Sequence, residues 1–168
     1  DSTGRLQGKV AIVTGGGTGI GKHSALALVD EGFSVTIAGR RGELLDTVIE
    51  ESDAGDRMLA VPTDVADEVS VAALFDATKE RFGRLDLLFN NAGIGIGGLF
   101  EDHDLDDWRY IVDVNLMGVV YGVSAVYPIL LEQGFGHIVN TASMAAVTSA
   151  PRRTGHALTG ALVDKSNG

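Results

Sequence analysis

The feature that most constrains the fold is a short apolar run that ends in a glycine-dense turn. The run Val10–Thr14 is followed by five glycines between positions 15 and 21, and then by an amphipathic segment, His23–Gly32. A strand, a glycine turn and a helix present backbone N–H groups and the positive end of the helix dipole to an anion, and glycine permits its close approach. The sequence therefore predicts a dinucleotide phosphate site at residues 14–21.

Apolar runs and amphipathic segments alternate along the chain, which indicates a parallel sheet covered by helices on both faces. The predicted strands are Lys9–Thr14, Phe33–Ala38, Arg57–Val61, Leu85–Phe89 and His137–Thr141. The predicted helices are Gly19–Asp30, Gly42–Glu51, Asp67–Phe82 and Leu105–Glu132. We therefore expect a doubly wound α/β fold of the Rossmann type, with one dinucleotide-binding domain at residues 9–168 after an N-terminal tail at residues 1–8.

Two glycine-rich turns fall where a sheet of this kind binds ligands. The winding reverses between the first and fourth strands, and the crevice at their carboxyl ends is the usual ligand site. The first turn follows the first predicted strand, and Asn90-Asn91-Ala92-Gly93 follows the fourth. This coincidence favours a nucleotide site more strongly than either turn alone.

Composition excludes several other classes of function. The 168 residues carry a net charge of −10, and no run of Lys or Arg exceeds a pair, so we expect no nucleic-acid partner. The chain has no cysteine, which excludes thiolate metal sites, and no metal site is predicted. No continuous apolar stretch reaches about 18 residues, and residues 1–7 lack the pattern of a signal peptide. We therefore expect a cytoplasmic protein without a membrane segment.

The first turn has the spacing T-G-x-x-x-G-x-G, carried by Thr14, Gly15, Gly19 and Gly21. Together with Asn90–Gly93, it resembles the short-chain dehydrogenase/reductase family from Lys9 to about Gly160. The resemblance implies an oxidoreductase that transfers a hydride between a nicotinamide cofactor and a small carbonyl or alcohol substrate. It implies cofactor contacts from both turns and from the Asp-Val pair after the third strand: Gly15, Gly17, Thr18, Gly19, Ile20, Gly21, Asp64, Val65, Asn91, Ala92 and Gly93. The alternatives are packing glycines and an ordinary acid at a helix start.

Cofactor choice depends on the end of the second predicted strand. Gly39 stands where the family usually has an acidic residue, and Arg40 and Arg41 follow. An acid there holds the ribose 2′-OH of NAD, whereas a guanidinium pairs bidentately with a 2′-phosphate. The resemblance therefore implies a preference for NADP, with NAD as the alternative. A solvated basic pair near a helix start would leave the cofactor undecided.

Asn115 and Ser143 are the catalytic candidates. Asn115 shares an apolar stripe of the long helix, so its amide must find buried partners; the other members of the stripe are Val112, Val119, Gly122, Val126 and Leu130. The resemblance implies that Asn115 supports a proton-relay water and that Ser143, after the fifth strand, hydrogen-bonds the substrate oxygen as charge develops. The alternatives are a structural amide and an ordinary strand-end hydroxyl.

The family's Y-x-x-x-K pair is not found where the pattern needs it. His156 stands thirteen residues past Ser143 and Gly160 four further on, while the three tyrosines, Tyr110, Tyr121 and Tyr127, all precede the serine. His156 could replace the tyrosine, but Gly160 offers no cation. We expect instead that residues are missing between Gly155 and His156 and that the last third of the domain is absent. A chain ending here would also leave the fifth strand as an apolar sheet edge. An intact mass equal to that of the 168 residues would contradict this expectation.

Two other classes of function stay open. One is a nucleotide-binding protein that has lost the acid/base pair, which Tyr and Lys codons between positions 155 and 156 would exclude. The other is a methyltransferase with a similar first turn, which does not explain Asn90–Gly93, Asn115 and Ser143 together. The family often pairs through the long helix, where Met117, Val120 and Tyr121 face either a partner or the core. A homo-oligomer, dimer or tetramer, is therefore expected.

Overall fold

Five parallel strands form the sheet in the computed structural model, which describes residues 6–97 and 100–143. The strands are β1 (Val10–Thr14), β2 (Ser34–Gly39), β3 (Met58–Pro62), β4 (Leu87–Asn90) and β5 (His137–Asn140). They lie in the order β3-β2-β1-β4-β5, and every neighbouring pair is parallel. The predicted doubly wound α/β fold is confirmed, and its winding reverses between β1 and β4.

Helices cover both faces of the sheet. They are α1 (Gly19–Asp30), α2 (Gly42–Ser52), α3 (Glu68–Phe82), α4 (Leu105–Val112) and α5 (Gly118–Gln133). A π-helical segment, Asp113–Met117, joins α4 to α5, and short 3-10 turns lie at Gly55–Arg57 and Phe100–Asp102. The single long helix predicted for residues 105–132 is thus a helix with a widened turn in its middle.

Local sequence sets the helix ends. The side chain of Asp67 accepts a hydrogen bond from the Val69 N–H at 3.0 Å and so caps the start of α3. Gly83, with φ of +76°, ends the same helix in the left-handed conformation that glycine adopts without strain. Asp104 and Asp107 form a reciprocal capping box at the start of α4.

The core has two halves because alternate residues of β1 point to opposite faces of the sheet. Val10 and Ile12 face α3 and α5, whereas Ala11 and Val13 face α1 and α2. The inner face of α3 consists of buried residues: Val71, Leu74, Phe75 and Thr78. The two helical layers therefore hold the carboxyl ends of β1 and β4 in fixed positions.

The helical run across α4 and α5 is long and, on average, apolar. The helical run Leu105–Gln133 contains an 18-residue window with a mean hydropathy of 1.7, long and apolar enough to cross a membrane by length and composition. Glycine, tyrosine, serine and proline residues interrupt the run, so the sequence shows no continuous apolar stretch of that length. Its inner face, which includes Val119, Gly122 and Val126, is buried against the domain. A core helix meets the same test, so the run carries no further conclusion.

One strand boundary differs from the prediction by two residues, and the rest agree within one. β4 begins at Leu87 rather than Leu85, because the Leu85 backbone is paired with a side chain. The Gln133 amide accepts from the Leu85 N–H at 3.1 Å and donates to its carbonyl at 2.7 Å. Likewise the Phe33 N–H bonds the Leu28 carbonyl behind α1 rather than a neighbouring strand.

A buried pair of hydroxyls joins α3 to β2 and gives a first prediction. The Oγ1 atoms of Thr78 and Thr36 lie 3.0 Å apart, both residues are almost fully buried, and Thr78 Oγ1 also lies 2.9 Å from the Leu74 carbonyl. Since a hydroxyl has one proton, Thr36 donates to Thr78, which donates to Leu74. Thr78→Val leaves the Thr36 hydroxyl unpaired and should lower the free energy of unfolding by about 1–2 kcal/mol.

The test is urea denaturation of the single and double variants. Thr36→Val combined with Thr78→Val removes both partners and should recover most of the loss, because no buried donor then lacks a partner. A double variant that loses the sum of the two single losses would show that the pair contributes nothing as a pair.

Candidate functional site

The turn after β1 wraps tightly around the start of α1. Gly15 and Gly19 have φ of +66° and +53°, in the left-handed region that glycine adopts freely. A Cβ on Gly21 would lie 2.1 Å from the Gly15 carbonyl oxygen, so no side chain fits there, whereas one on Gly19 would meet open space. Thr18 lies at the N-cap position of α1, and its side chain makes no capping hydrogen bond. The Thr18 hydroxyl therefore does not occupy the first N–H groups of the helix. An uncapped helix start with an open glycine beside it fits a phosphate group.

Thr14 and Asn91 join this turn to the turn after β4. The Thr14 hydroxyl accepts from the backbone N–H groups of Asn91 and Ala92, each at 3.0 Å. The Asn91 side chain donates to the Thr14 carbonyl at 3.2 Å and its Oδ1 accepts from the Thr141 hydroxyl at 3.2 Å. The carboxyl ends of β1, β4 and β5 are therefore connected by side chains as well as by the sheet.

The first of two adjoining cavities lies on the β2 side of the turn and has a volume of about 160 Å³. It brings together residues from the ends of β1, β2, β3 and β4. Its lining includes nine of the predicted cofactor residues: Gly15, Gly17, Thr18, Arg40, Arg41, Asp64, Val65, Ala92 and Gly93. Gly39, which the sequence placed at the position that decides the cofactor, also lines it. Sequence reasoning missed the remaining lining residues, which are apolar or small: Leu44, Leu45, Thr63, Ile94 and Val114.

Asp64 and Val65 have different surroundings within the first cavity. Asp64 is exposed, and its Oδ1 accepts from the Ala66 N–H at 3.0 Å, which orients the carboxylate at the cavity rim. Val65 is buried against Gly118, where an added Cβ would lie 2.9 Å from Val65 Cγ2. Asp64 thus supplies a polar group at the cavity rim, and Val65 supplies an apolar contact that packs against the start of α5.

Asn115 lies in the π-helical segment and is 9% exposed. Its Oδ1 accepts from the Ile94 N–H and its Nδ2 donates to the Ile94 carbonyl, both at 2.8 Å. The buried amide predicted from the apolar stripe therefore has the backbone partners that burial demands. These bonds fix the loop after β4 against the long helical run.

The second cavity, of about 470 Å³, adjoins the first through shared lining residues of both turns. It brings Asn115 and Ser143 together with the glycine turn and the ends of β4 and β5. The predicted residues that line it are Gly15, Thr18, Gly19, Ile20, Asn91, Ala92, Gly93, Asn115 and Ser143. Gly21 lines neither cavity, because it is buried beneath the turn.

Arg40 does not extend freely into solvent. Its Nη1 donates to the hydroxyl of Tyr110 on α4 at 2.5 Å, and its guanidinium carbon lies 6.0 Å from the centre of the tyrosine ring. Sequence reasoning considered Tyr110 only to exclude it as the catalytic tyrosine, and it missed this contact. Because the two residues are 70 positions apart, no local pattern could have indicated it.

None of the three tyrosines of the chain lines the cavity that contains Ser143. Tyr110 contacts Arg40, Tyr121 packs against the core, and Tyr127 is 55% exposed; the lining of the second cavity includes none of them. The predicted gap between Gly155 and His156 lies outside the described residues. The chemistry of the described site is thus an anion-binding turn, a buried amide and a strand-end hydroxyl around one continuous crevice.

Comparison with known proteins agrees with this geometry. A family model described as short chain dehydrogenase matches residues 9–157. An uncharacterised oxidoreductase of Staphylococcus aureus strain MW2 is 37% identical over 158 residues, which cover 94% of this chain and 68% of the relative.

Solved structures of similar proteins carry nicotinamide cofactors. A short-chain dehydrogenase/reductase from Burkholderia phymatum in complex with NAD superposes with a TM-score of 0.92 at 37% identity, over 96% of this chain and 58% of that one. A 3-ketoacyl-(acyl-carrier-protein) reductase from Brucella melitensis complexed with NADH gives 0.91 at 33% identity, over 96% and 68%. This chain therefore spans about three-fifths to two-thirds of its relatives. By its matched family model, its sheet order and its similar relatives, it belongs to the short-chain dehydrogenase family of oxidoreductases.

Proposed function

We propose that residues 9–168 form one dinucleotide-binding domain of an oxidoreductase that prefers NADP(H) and acts on a small carbonyl or alcohol substrate. The observation that carries the proposal is the pair of adjoining cavities. Arg40 and Asp64 line one cavity, Asn115 and Ser143 line the other, and the glycine turn lines both. An extended dinucleotide needs this arrangement, with an anion-binding turn between two pockets.

Each group of residues has its own role in the proposal. The α1 N-terminus and its glycine turn would hold the pyrophosphate, and Asp64 would accept from the adenine amino group. Ser143 would donate a hydrogen bond to the substrate oxygen, and Asn115 would support a proton-relay water and hold the loop through Ile94. When bound, the nicotinamide ring supplies the hydride chemistry, and the chain's residues position and polarise the substrate.

The preference for NADP rests on charge at the end of β2. Gly39, Arg40 and Arg41 line the first cavity there. This end of β2 therefore carries two positive charges, which attract a 2′-phosphate, and it lacks the acidic residue that would repel one. Asp64, the acid that lines the same cavity, follows β3 rather than β2. NAD is the alternative cofactor, and it is supported by the similar structures that are complexed with NAD and NADH.

Direct titration of NADPH and NADH tests the cofactor assignment. We expect NADPH to bind more tightly, and Arg40→Ala to weaken NADPH by about ten-fold or more while changing NADH little, as the loss of a charge-assisted bond predicts. The control is Arg109→Ala, which removes an exposed cation from α4 that pairs with Asp106 and does not line the cavity. Equal or tighter binding of NADH would overturn the preference.

A nucleotide-binding protein without catalysis is the second candidate function. It is supported by the position of the tyrosines, none of which lines the cavity that Ser143 lines. The coding sequence distinguishes the two functions: Tyr and Lys codons between positions 155 and 156 support the enzyme. Their absence, with cofactor binding but no substrate-dependent cofactor turnover, supports the second candidate.

Self-association and a cytoplasmic location complete the proposal. α5 exposes several apolar side chains, among them Val120, Tyr127 and Leu131, and these support a homo-oligomer, dimer or tetramer, paired through this helix. Tyr121 packs against the core and Met117 is half-buried, so they contribute less to such a surface. The lack of cysteine among the 168 residues is compatible with the reducing cytoplasm.

A further inference from the structure

The contact between Arg40 and Tyr110 lies at the edge of the first cavity. Arg40 follows β2 and lines the cavity, while Tyr110 lies on α4 outside it. Val114, four residues after Tyr110, lines the cavity beside Arg40. The hydrogen bond thus crosses from the end of β2 to the helical run that forms the opposite wall.

The tyrosine leaves most of the guanidinium free to bind a ligand. Arginine carries five N–H donors, and the bond to Tyr110 uses one on Nη1. The remaining donors keep the fork geometry that matches a phosphate bidentately. The guanidinium carbon lies 6.0 Å from the ring centre, toward the hydroxyl end of the ring, so the hydrogen bond is the contact that fixes this placement.

Holding the arginine has a thermodynamic consequence for binding. A free arginine side chain loses much rotamer entropy when a ligand immobilises it, and this loss weakens binding. A side chain already held at the cavity loses less. We propose that Tyr110 is a positioning residue that holds Arg40 at the first cavity and thereby strengthens the preference for an adenosine ligand that carries a 2′-phosphate. The proposal rests on the proposed function, because it assigns Arg40 to that phosphate.

Two small ligands, used as probes, separate binding of the 2′-phosphate from binding of the rest of the cofactor. Adenosine 2′,5′-bisphosphate carries the 2′-phosphate, and adenosine 5′-monophosphate lacks it. Tyr110→Phe keeps the ring and removes only the hydroxyl, so it should weaken the bisphosphate by about five-fold, the value of one ordinary hydrogen bond. Binding of the monophosphate should not change, whereas a merely structural role of the hydroxyl would weaken both probes alike.

The control and the double variant complete the design. Tyr127→Phe removes the hydroxyl of another exposed tyrosine, on α5, and should leave both probes unchanged. Arg40→Ala should weaken the bisphosphate alone, and adding Tyr110→Phe to it should cause no further loss, because the hydroxyl acts through the guanidinium. Both tyrosines are exposed, so thermal unfolding should be unaltered in each single variant.

The outcomes separate this inference from the proposed function. If Arg40→Ala leaves the discrimination between the probes unchanged, the assignment of Arg40 to a 2′-phosphate is wrong. If Arg40→Ala removes the discrimination but Tyr110→Phe does not lower it, the assignment stands and the role of Tyr110 is wrong. Tighter binding of the bisphosphate by Tyr110→Phe would show that the tyrosine withholds the arginine, which also overturns the inference.

Discussion

Replacement of Gly21 by alanine is expected to destabilise the domain and to abolish nicotinamide cofactor binding. The new Cβ would lie 2.1 Å from the Gly15 carbonyl oxygen and 2.6 Å from Asn91 Nδ2. A backbone carbonyl cannot rotate away as a flexible side chain can, so the turn itself must move. Overpacking of this kind costs about 3 kcal/mol or more, at the upper end of the usual range.

Loss of binding follows from the same displacement. The moved atoms belong to Gly15, which lines both cavities, and to Asn91, which holds the Thr14 carbonyl. We expect cofactor affinity to fall at least about a hundred-fold, because phosphate recognition by backbone N–H groups depends on their placement. Denaturant unfolding and fluorescence titration with NADH and NADPH measure the two effects.

Gly42→Ala is the matched control for this substitution. Gly42 also opens a helix, and its added Cβ would make an ordinary contact 3.5 Å from Pro62 Cγ. We expect this variant to stay within about 0.5 kcal/mol of the unchanged chain or to be slightly more stable. If Gly21→Ala behaved like Gly42→Ala in both measurements, the tight turn described here would be wrong.

Replacement of Asn115 by leucine should have the next largest effect. Leucine has a similar size but can neither accept from the Ile94 N–H nor donate to the Ile94 carbonyl, both of which pair with Asn115 at 2.8 Å. Two polar backbone groups would then lose their partners in a partly buried site. The expected loss of unfolding free energy is about 2–4 kcal/mol, the combined penalty for two unpaired groups.

Cofactor affinity should fall with stability in the Asn115 variant. Ile94 lines both cavities, and its loop is held in place by the asparagine. The control is Asp113→Leu, an exposed position of the same π-helical segment, which should change stability by no more than about 0.5 kcal/mol. An Asn115→Leu variant as stable as Asp113→Leu would show that the paired bonds to Ile94 contribute little.

Much of the fold could be predicted because its signals are local. The glycine turn and the alternation of apolar runs and amphipathic segments each act over a few positions. The burial of Asn115 was also predictable, since helical spacing places it on the apolar stripe. These signals gave the reversal point between β1 and β4, and therefore the position of the crevice.

The rest depends on partners that are distant in sequence. Asn115 and Ile94 are 21 positions apart, and Arg40 and Tyr110 are 70 apart, so no local pattern pairs them. The π-helical turn at Asp113–Met117 was not predicted, because the apolar stripe from Val112 to Leu130 has ordinary α-helical spacing throughout. β4 was predicted to begin two residues too early for the same reason. The Leu85 backbone pairs with the Gln133 side chain, which is distant in sequence.

The amide of Asn91 has a further consequence for how the strand ends are held. It bonds Thr14 at the end of β1 and Thr141 at the end of β5, two strands that are not neighbours in the sheet. One side chain therefore sets the separation between the phosphate-binding turn and the strand end that leads to Ser143. A substitution at Asn91 would therefore release both strand ends at once, whereas a substitution at Thr141 would release the end of β5 alone.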